Sequence, residues 1–238
     1  MGSEINEEVR AELIKNVMQN VFTEYEENIN NYTSILRSPN STVDNIMYAK
    51  TYLLSCIVKY IPLNAGSCYY CQRHSNDCIK CEYAYSHGKC DPVKGERSVY
   101  VDIQEKKHDL CEVLRGYWLG GGAQEAQEAD EKIKSKLHKN SLNIKECYDN
   151  IFVEYVAGLT GAREVKEIMA AKRKMLVSLI ESLPLTTYHC YFCMALKPGD
   201  KCHNCLYKNL HGECGAIDST FMKITHAKIE LLKALHKY

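Results

Sequence analysis

The chain has 238 residues, of which 45% are apolar and 25% are charged, and its formal net charge at pH 7 is zero. This composition excludes bulk disorder and provides enough apolar material for a core. No apolar run is long enough to span a bilayer, and the first residues lack the features of a secretory signal. We therefore expect a cytoplasmic, intracellular protein without a membrane partner.

The charge is divided unevenly between the two parts of the sequence. Residues 1–130 carry 13 basic and 19 acidic side chains, for a net charge of −6, whereas residues 131–238 carry 17 and 11, for +6. Such an asymmetry favours either an anionic partner for the basic part or packing of the two parts against each other.

The first part predicts three helices with a cysteine-rich segment before the third. Apolar residues recur every three or four positions in three stretches, which is typical of helices with one buried face. Pro39 ends the first stretch, Ser41 or Thr42 offers an N-cap for the second, and Pro62 ends the second. The apolar stripes are Val9, Leu13, Val17, Val21 and Tyr25; Ile46, Leu53, Leu54, Ile57 and Val58; and Val99, Ile103, Leu110, Val113 and Leu114.

The second part repeats this order, which predicts an internal duplication. The clearest match lies between SCYYCQRHSNDCIKCEYAYSHGKC, the first cysteine loop (residues 67–90), and HCYFCMALKPGDKCHNCLYKNLHGEC, the second cysteine loop (residues 189–214). Their cysteines correspond at offsets of 122 and 124 residues. NVFTEY, at 20–25, also matches NIFVEY, at 150–155, with an offset of 130.

The duplication predicts the domain organisation. Residues 120–130 begin with three glycines and favour a linker between a first half, 1–119, and a second half, 131–238. We predict an all-α fold in which each half is a three-helix unit with a zinc-binding loop between its second and third helices. The halves are expected to pack as a pseudo-dimer inside a monomeric chain, with an internal pseudo-two-fold axis.

The cysteine spacing predicts one zinc ion in each loop, in a zinc finger-like site. Two C-x2-C pairs supply four thiolates for a tetrahedral ion at about 2.3 Å. We expect these pairs to be the ligands. Cys90 and Cys214 are the first alternates, and His87 and His211 are either further alternates or residues that lie beside the metal. The candidate ligands are Cys68, Cys71, Cys78, Cys81 and Cys90, and Cys190, Cys193, Cys202, Cys205 and Cys214.

The gap between the C-x2-C pairs is short. It predicts a tight hairpin in each loop, with turns at HSND (74–77) and KPGD (197–200). The remaining three cysteines, Cys56, Cys111 and Cys147, lie on apolar helix faces and are predicted to be core residues.

Other uses of the cysteines stay open at this point. Four thiolates also suit an iron–sulfur cluster, although the usual ferredoxin spacing is absent. C-x2-C pairs occur in thiol–disulfide enzymes too, but no strand–helix context of that kind is predicted. Disulfides would require an oxidising compartment, which a cytoplasmic protein does not enter.

The sequence contains no phosphate-binding glycine loop, nucleophile elbow or zinc-protease motif. We therefore predict a non-enzymatic, zinc-stabilised binding or adaptor protein whose partner is a protein or a nucleic acid. The alternative is an iron–sulfur or thiol-based redox protein that uses the two cysteine clusters.

Basic side chains and aromatic residues favour a nucleic acid, whereas the neutral overall charge argues against one. Lys132, Lys136 and Lys139 share one helical face, and Lys172, Arg173 and Lys174 form a second basic cluster. The aromatic residues expected to be exposed for stacking on bases are Tyr69, Tyr70, Tyr191 and Phe192.

Overall fold

The computed structural model describes residues 4–90, 98–120, 128–197 and 202–238. Within these ranges the protein is helical and contains no strand, which confirms the predicted all-α class; an isolated bridge joins Thr42 to Glu128. The helices are α1 (Glu7–Val17), a π-helical turn (Met18–Phe22), α2 (Thr23–Arg37), α3 (Val43–Lys59), α4 (Tyr69–Arg73), α5 (Glu82–His87), α6 (Val99–Arg115), α7 (Glu131–Gly161), α8 (Val165–Glu181), α9 (Tyr191–Ala195), α10 (Lys208–His211) and α11 (Thr220–Leu235).

Six of these helices pack as a closed ring. Around the ring the order is α2, α3, α6, α11, α8 and α7. Each helix packs against the next, and α7 packs against α2 to close the ring. One hydrophobic core fills the ring and includes residues from both halves of the chain. The halves are therefore joined by shared burial of apolar surface. No helix in the described ranges is both long and apolar enough to cross a membrane.

The helix boundaries follow the local signals in the sequence. Helix α2 ends at Arg37, two residues before Pro39. Thr42 then caps α3, because its hydroxyl accepts the N–H of Asn45 while the Asn45 side chain accepts the N–H of Thr42. This capping box confirms one of the two predicted N-caps.

A pair of buried tyrosines makes similar contacts in the two halves. Tyr25 donates its hydroxyl to the carbonyl of Ile57 at 2.9 Å, and Tyr148 donates to the carbonyl of Leu179 at 3.4 Å. Tyr155, which the match of NVFTEY with NIFVEY pairs with Tyr25, is buried too, but its hydroxyl has no hydrogen-bond partner among the described residues. These contacts favour Tyr148 over Tyr155 as the residue that resembles Tyr25.

The π-helical turn explains how side chains at every fourth position stay buried along α1 and α2. Leu13, Val17, Val21 and Tyr25 are all buried and follow one another at intervals of four residues. In an α-helix of 3.6 residues per turn, each such interval rotates the side chain by about 40°, so the stripe would leave the core. The wider turn at Met18–Phe22 accommodates one additional residue and keeps the stripe inward.

Candidate metal centres

Each cysteine loop begins with the same local conformation. A short 3-10 turn, Ala65–Ser67 in one half and Thr187–His189 in the other, leads directly into the first cysteine of the loop. The backbone angles are φ −106° and ψ 123° at Cys68, and φ −105° and ψ 119° at Cys190. Both cysteines are N-caps of short helices, where backbone N–H groups without helical partners face the thiol.

These N–H groups and the second cysteine of each pair stabilise a thiolate. The pKa of Cys68 is lowered to about 5, chiefly because the Cys71 thiol donates a hydrogen bond to it, with help from backbone N–H groups. In the same way the Cys193 thiol and nearby N–H groups lower the pKa of Cys190 to about 6. The pKa of each donor, Cys71 or Cys193, is raised because its proton is held in that bond. One thiolate is thus favoured in each pair.

Nine of the ten predicted ligands line two cavities, and the tenth lies beside one of them. A cavity of about 460 Å³ in the second cysteine loop is lined by Cys190, Cys193, Cys202, Cys205 and Cys214. A cavity of about 270 Å³ in the first cysteine loop is lined by Cys68, Cys71, Cys78 and Cys90, and a small neighbouring cavity includes Cys81.

All thirteen cysteines are free thiols. Among the described residues, no three His, Cys, Asp or Glu side chains are grouped closely enough to hold a metal ion. The thiols therefore surround each cavity without forming a coordination sphere there.

The fifth cysteines, Cys90 and Cys214, also line the cavities. Burial and the neighbouring thiols raise the pKa of each to about 11. The raised pKa values favour the protonated thiol at neutral pH, in contrast to Cys68 and Cys190. This difference separates only the first cysteine of each loop from the others, because the pKa values of Cys71, Cys81, Cys193 and Cys205 are raised as well.

His87 and His211 act as packing partners of tyrosines. The His87 ring stacks on Tyr83 with centroids 4.1 Å apart, and the His211 ring stacks on Tyr207 at 4.3 Å. Neither histidine is among the described residues that line the cavities of about 460 and 270 Å³ in the cysteine loops. His211 is only 4% exposed, and burial lowers its pKa.

The hairpin predicted in the first cysteine loop is wrong, and the one predicted in the second lies partly outside the described residues. The first cysteine loop contains α4 and α5, and the described residues of the second contain α9, a 3-10 turn and α10. The turn predicted at HSND is present, where Ser75 and Asn76 have φ values of 50° and 66°. Most of KPGD lies outside the described residues. Short helices form because the first C-x2-C pair of each loop occupies a helix N-terminus, with its second cysteine inside the first turn.

Two buried lysines cross between the halves. Lys50 in α3 donates to the carbonyl of His189 at 2.6 Å and to the hydroxyl of Tyr117 at 2.7 Å. Lys172 in α8 donates to the carbonyl of Ser67 at 2.6 Å and to its hydroxyl at 3.3 Å. His189 and Ser67 directly precede the first cysteines of their loops. Each lysine therefore binds the cysteine loop of the opposite half.

Two tyrosines also contact the cysteine loop of the opposite half. Tyr117, beyond the end of α6, packs on Tyr207 of the second cysteine loop with ring centroids 5.9 Å apart, and Tyr207 donates its hydroxyl to the Tyr117 carbonyl at 2.8 Å. Tyr238, beyond the end of α11, packs on Tyr83 of the first cysteine loop at 5.5 Å. Each half thus covers the other half's cysteine loop with a lysine and a tyrosine.

The basic clusters divide between surface and core. Lys132, Lys136 and Lys139 are exposed on α7, and Arg173 and Lys174 are exposed on α8. Lys172, predicted to belong to the second basic cluster, is 2% exposed and donates a hydrogen bond to the Ser67 carbonyl. The prediction that Lys172 belongs to a nucleic-acid surface is therefore wrong, because Lys172 lies on the buried apolar face of α8.

The predicted stacking platform is wrong for three of its four residues, and the fourth, Tyr70, is half-buried. Tyr69, Tyr191 and Phe192 are buried and belong to the core beneath the loops. The hydroxyl of Tyr69 accepts the N–H of Asn6 at 2.8 Å, and that of Tyr191 accepts the N–H of Asp130 at 2.9 Å. These aromatic rings anchor the loops to the starts of α1 and α7 and have no free face for a base.

Three cysteines outside the loops differ in burial. Cys56 is buried, as predicted, and Cys111 is half-buried. Cys147 is exposed on α7, where its thiol donates to the Ser182 hydroxyl at 3.4 Å, so its predicted place in the core is wrong. The ring of helices turns the Cys147 side of α7 outward.

The crossed lysine Lys50 was not predicted from the sequence. Its signal is present, because Lys50 lies inside the apolar stripe of α3 and Lys172 follows it at the same offset, 122 residues, that separates Cys68 from Cys190. A lysine that recurs within an apolar helix face is a candidate for a buried, partnered charge.

No family model, curated protein or solved structure matches this chain.

Proposed function

We propose that the protein is a non-enzymatic, zinc-stabilised helical binding protein, an adaptor with one zinc ion in each cysteine loop. The observation that carries this proposal is the gathering of cysteine thiols around two separate cavities. Zinc prefers thiolate ligands, and four of them complete a tetrahedral structural site. The thiolates favoured at Cys68 and Cys190 would be the first ligands, and the other thiols would release protons on binding.

A structural role for zinc agrees with the size of the loop helices. Helices α4, α5, α9 and α10 have between four and six residues each, too short to be stable by themselves. An ion bound by cysteines from several of them would fix the first loop between α3 and α6, and the second between α8 and α11. A site filled by four protein ligands also leaves no open position for catalysis.

We also infer that the chain is a duplicated unit packed as an internal pseudo-dimer. Paired contacts support this inference. Besides the crossed lysines, Arg10 of α1 donates to the carbonyl of Ala162 at 2.6 Å, beyond the end of α7, and Lys134 of α7 donates to the carbonyl of Ser38 at 2.6 Å, beyond the end of α2. Each half thus caps the long helix of the other with a basic side chain.

A protein is the partner that the surface favours. Exposed apolar side chains occur on and beside the cysteine loops, where a partner protein would cover them. Burial of Tyr69, Tyr191 and Phe192 removes three of the four aromatic residues predicted to stack on bases, although Tyr85 and Tyr188 are exposed and Lys132, Lys136 and Lys139 still offer phosphate contacts. The exposed apolar residues are Ile79, Tyr85, Tyr188, Leu206 and Ile217.

An iron–sulfur or thiol-based redox protein is the second candidate. The observation that favours it is the volume of the cavities, about 460 and 270 Å³, which is larger than a single ion requires. Thiolates that surround such a space also suit an iron–sulfur cluster. The low pKa of one cysteine in each pair would suit thiol exchange as well.

A native mass spectrum with a visible absorption spectrum tests the proposal. We expect a colourless protein heavier than its chain by two zinc ions, and only one ion after Cys68→Ser/Cys71→Ser or Cys190→Ser/Cys193→Ser. Iron and sulfide with a brown colour would establish the second candidate in its place. Zinc bound equally well by both double variants and the wild-type chain would contradict the proposed ligands.

The partner class needs a separate test. Lys132→Glu, Lys136→Glu and Lys139→Glu, introduced together, reverse the charge on the exposed face of α7. If the partner is a protein bound near the cysteine loops, the wild-type chain shifts neither DNA nor RNA at low salt. A salt-dependent shift that the triple variant abolishes would assign a nucleic acid instead.

A further inference from the structure

We propose that Lys50 and Lys172 are crossed countercharges, each of which positions the zinc–thiolate site of the opposite half, so that the two sites are energetically coupled. This inference rests on the proposed zinc sites and adds to them the residues that complete each site from outside its own half. Sequence position alone would assign Lys50 to the first site and Lys172 to the second.

The need for a countercharge follows from the ligands. Four thiolates around one divalent ion leave an excess of negative charge, which is costly in a partly buried loop unless a cation lies close to it. Cys68 is only 8% exposed, and Cys190 is half-buried. Lys172 lines the cavity of the first cysteine loop, and each lysine donates to the residue that directly precedes the first cysteine of the opposite loop.

The geometry fixes each ammonium group in place. Lys50 and Lys172 are 1% and 2% exposed, so neither can exchange its protein partners for water. The Lys50 ammonium lies 4.9 Å from the ring centre of Tyr117, and that of Lys172 lies 5.2 Å from the ring centre of Tyr238, both within the range of a cation–π contact. A carbonyl next to the first cysteine and an aromatic ring therefore hold each charge.

The crossing provides a route for coupling. Lys50 belongs to α3, which leads into the first cysteine loop, yet its charge serves the second. Lys172 belongs to α8, which leads into the second loop, yet its charge serves the first. Zinc in either loop thus orders the helix that carries the other loop. Such a coupling must be reciprocal, with each site raising the affinity of the other by the same factor.

Cobalt titration of single-site chains tests the crossing. Cys68→Ser/Cys71→Ser leaves the second site and Cys190→Ser/Cys193→Ser leaves the first, and Co²⁺ reports thiolate binding by its visible absorption. Lys50→Met is expected to weaken Co²⁺ binding on the order of 10–100-fold at the second site, as loss of a supporting residue does at other metal sites. Lys172→Met is expected to act in the same way at the first site. The exposed lysines Lys59, on α3, and Lys174, on α8, provide controls when changed to Met.

The possible outcomes separate this inference from the proposed function. No cobalt binding by the wild-type chain would overturn the zinc sites themselves and, with them, the coupling. If each lysine substitution weakened cobalt binding at the site in the same half as the lysine, or at both sites equally, the crossing would be overturned and the zinc sites would stand. Hydrogen exchange of the metal-free variants gives a second readout, in which Lys50→Met raises exchange at 186–193 and Lys172→Met at 64–71. A variant that loses its helical circular dichroism would be replaced by Lys50→Gln or Lys172→Gln.

Discussion

The two cysteine loops share a cysteine pattern but differ in their surroundings. In the second cysteine loop, Trp118 packs on Phe192, Tyr207 and His211 with ring centroids 5.4, 6.4 and 5.4 Å away. The Trp118 indole N–H donates to Asp44 at 2.6 Å, which ties this aromatic cluster to α3. The second loop is thus held firmly against the first half of the chain.

Both cysteine loops leave buried polar atoms without a hydrogen-bond partner among the described residues, including the Tyr83 hydroxyl in the first loop and Nε2 of His211 in the second. The loops differ at the tyrosine, because the Tyr207 hydroxyl donates to Tyr117 whereas the Tyr83 hydroxyl is unpaired among these residues. An unpartnered buried hydroxyl costs about 1–3 kcal/mol. His87 is half-buried, and its ring shares a hydrogen bond with Ser86 at 2.6 Å. The cysteines set the chemistry that both loops can perform, and the packing around them sets how strongly each loop is held.

The largest expected difference concerns metal removal. Structural zinc contributes about 10 kcal/mol or more to folding in small domains, so losing either site should be costly. Because the second loop anchors more aromatic packing, Cys190→Ser/Cys193→Ser should lower the melting temperature more than Cys68→Ser/Cys71→Ser. Thermal unfolding followed by circular dichroism checks the order, and a chelator should empty the first site before the second. The reverse order would contradict this ranking of the loops.

Trp118 should account for much of the difference. Trp118→Leu removes buried aromatic surface and the hydrogen bond to Asp44, so we expect a loss of about 3 kcal/mol in the free energy of unfolding. Urea denaturation measures the loss, and hydrogen exchange should rise in the second cysteine loop and stay unchanged in the first. Leu119→Ala, at the exposed neighbouring residue, is the control. Increased exchange in both loops alike would argue against a local role.

A smaller difference separates the paired tyrosines of the long helices. Tyr25→Phe removes a buried hydrogen bond of 2.9 Å and should cost about 1 kcal/mol. Tyr148→Phe removes a longer bond, of 3.4 Å, and should cost less. Chemical denaturation of both variants under the same conditions compares them directly. Equal losses would mean that the two bonds have the same strength despite their lengths.

The smallest expected effect is a pH dependence of stability. Burial lowers the pKa of His211 below the value of about 6.5 that histidine has in an unfolded chain. The unfolded state therefore binds more protons in mild acid, so the stability that neutral His211 provides is complete above about pH 6.5 and decreases as the pH falls. His211→Phe keeps the ring on Tyr207 and should flatten the fall in stability between pH 7 and 5. His87→Phe is the matched control, and equal flattening by both would contradict the assignment to His211.

Much of the helical fold could be predicted from the sequence. The three- and four-residue spacing of apolar side chains located the long helices, because a helix that buries one face must repeat in that way. An N-cap at Ser41 or Thr42 was visible for a similar local reason, and the structure assigns it to Thr42. The clustering of the cysteines was predictable too, since closely spaced C-x2-C pairs have little room to separate.

Other features depend on contacts between distant residues, which the spacing of side chains along the sequence does not reveal. Four successive intervals of four residues, from Val9 to Tyr25, already indicated a departure from regular α-helix, but the π-helical turn follows only when the buried face is known. Tyr69 and Phe192 looked exposed because they lie in loops, yet the ring of helices buries them. The contact of Lys50 with His189 joins residues far apart in the chain, and it follows from how the two halves pack.

The crossed contacts also affect how the chain acquires its fold as it is made. A ribosome completes the first cysteine loop well before it adds Lys172, whose ammonium holds that loop at Ser67. The first half must therefore wait in an incomplete state, with Cys68 and its neighbours accessible, until much of the second half has emerged. Such a delay makes biosynthesis the period when these thiols are most vulnerable to oxidation and unwanted association.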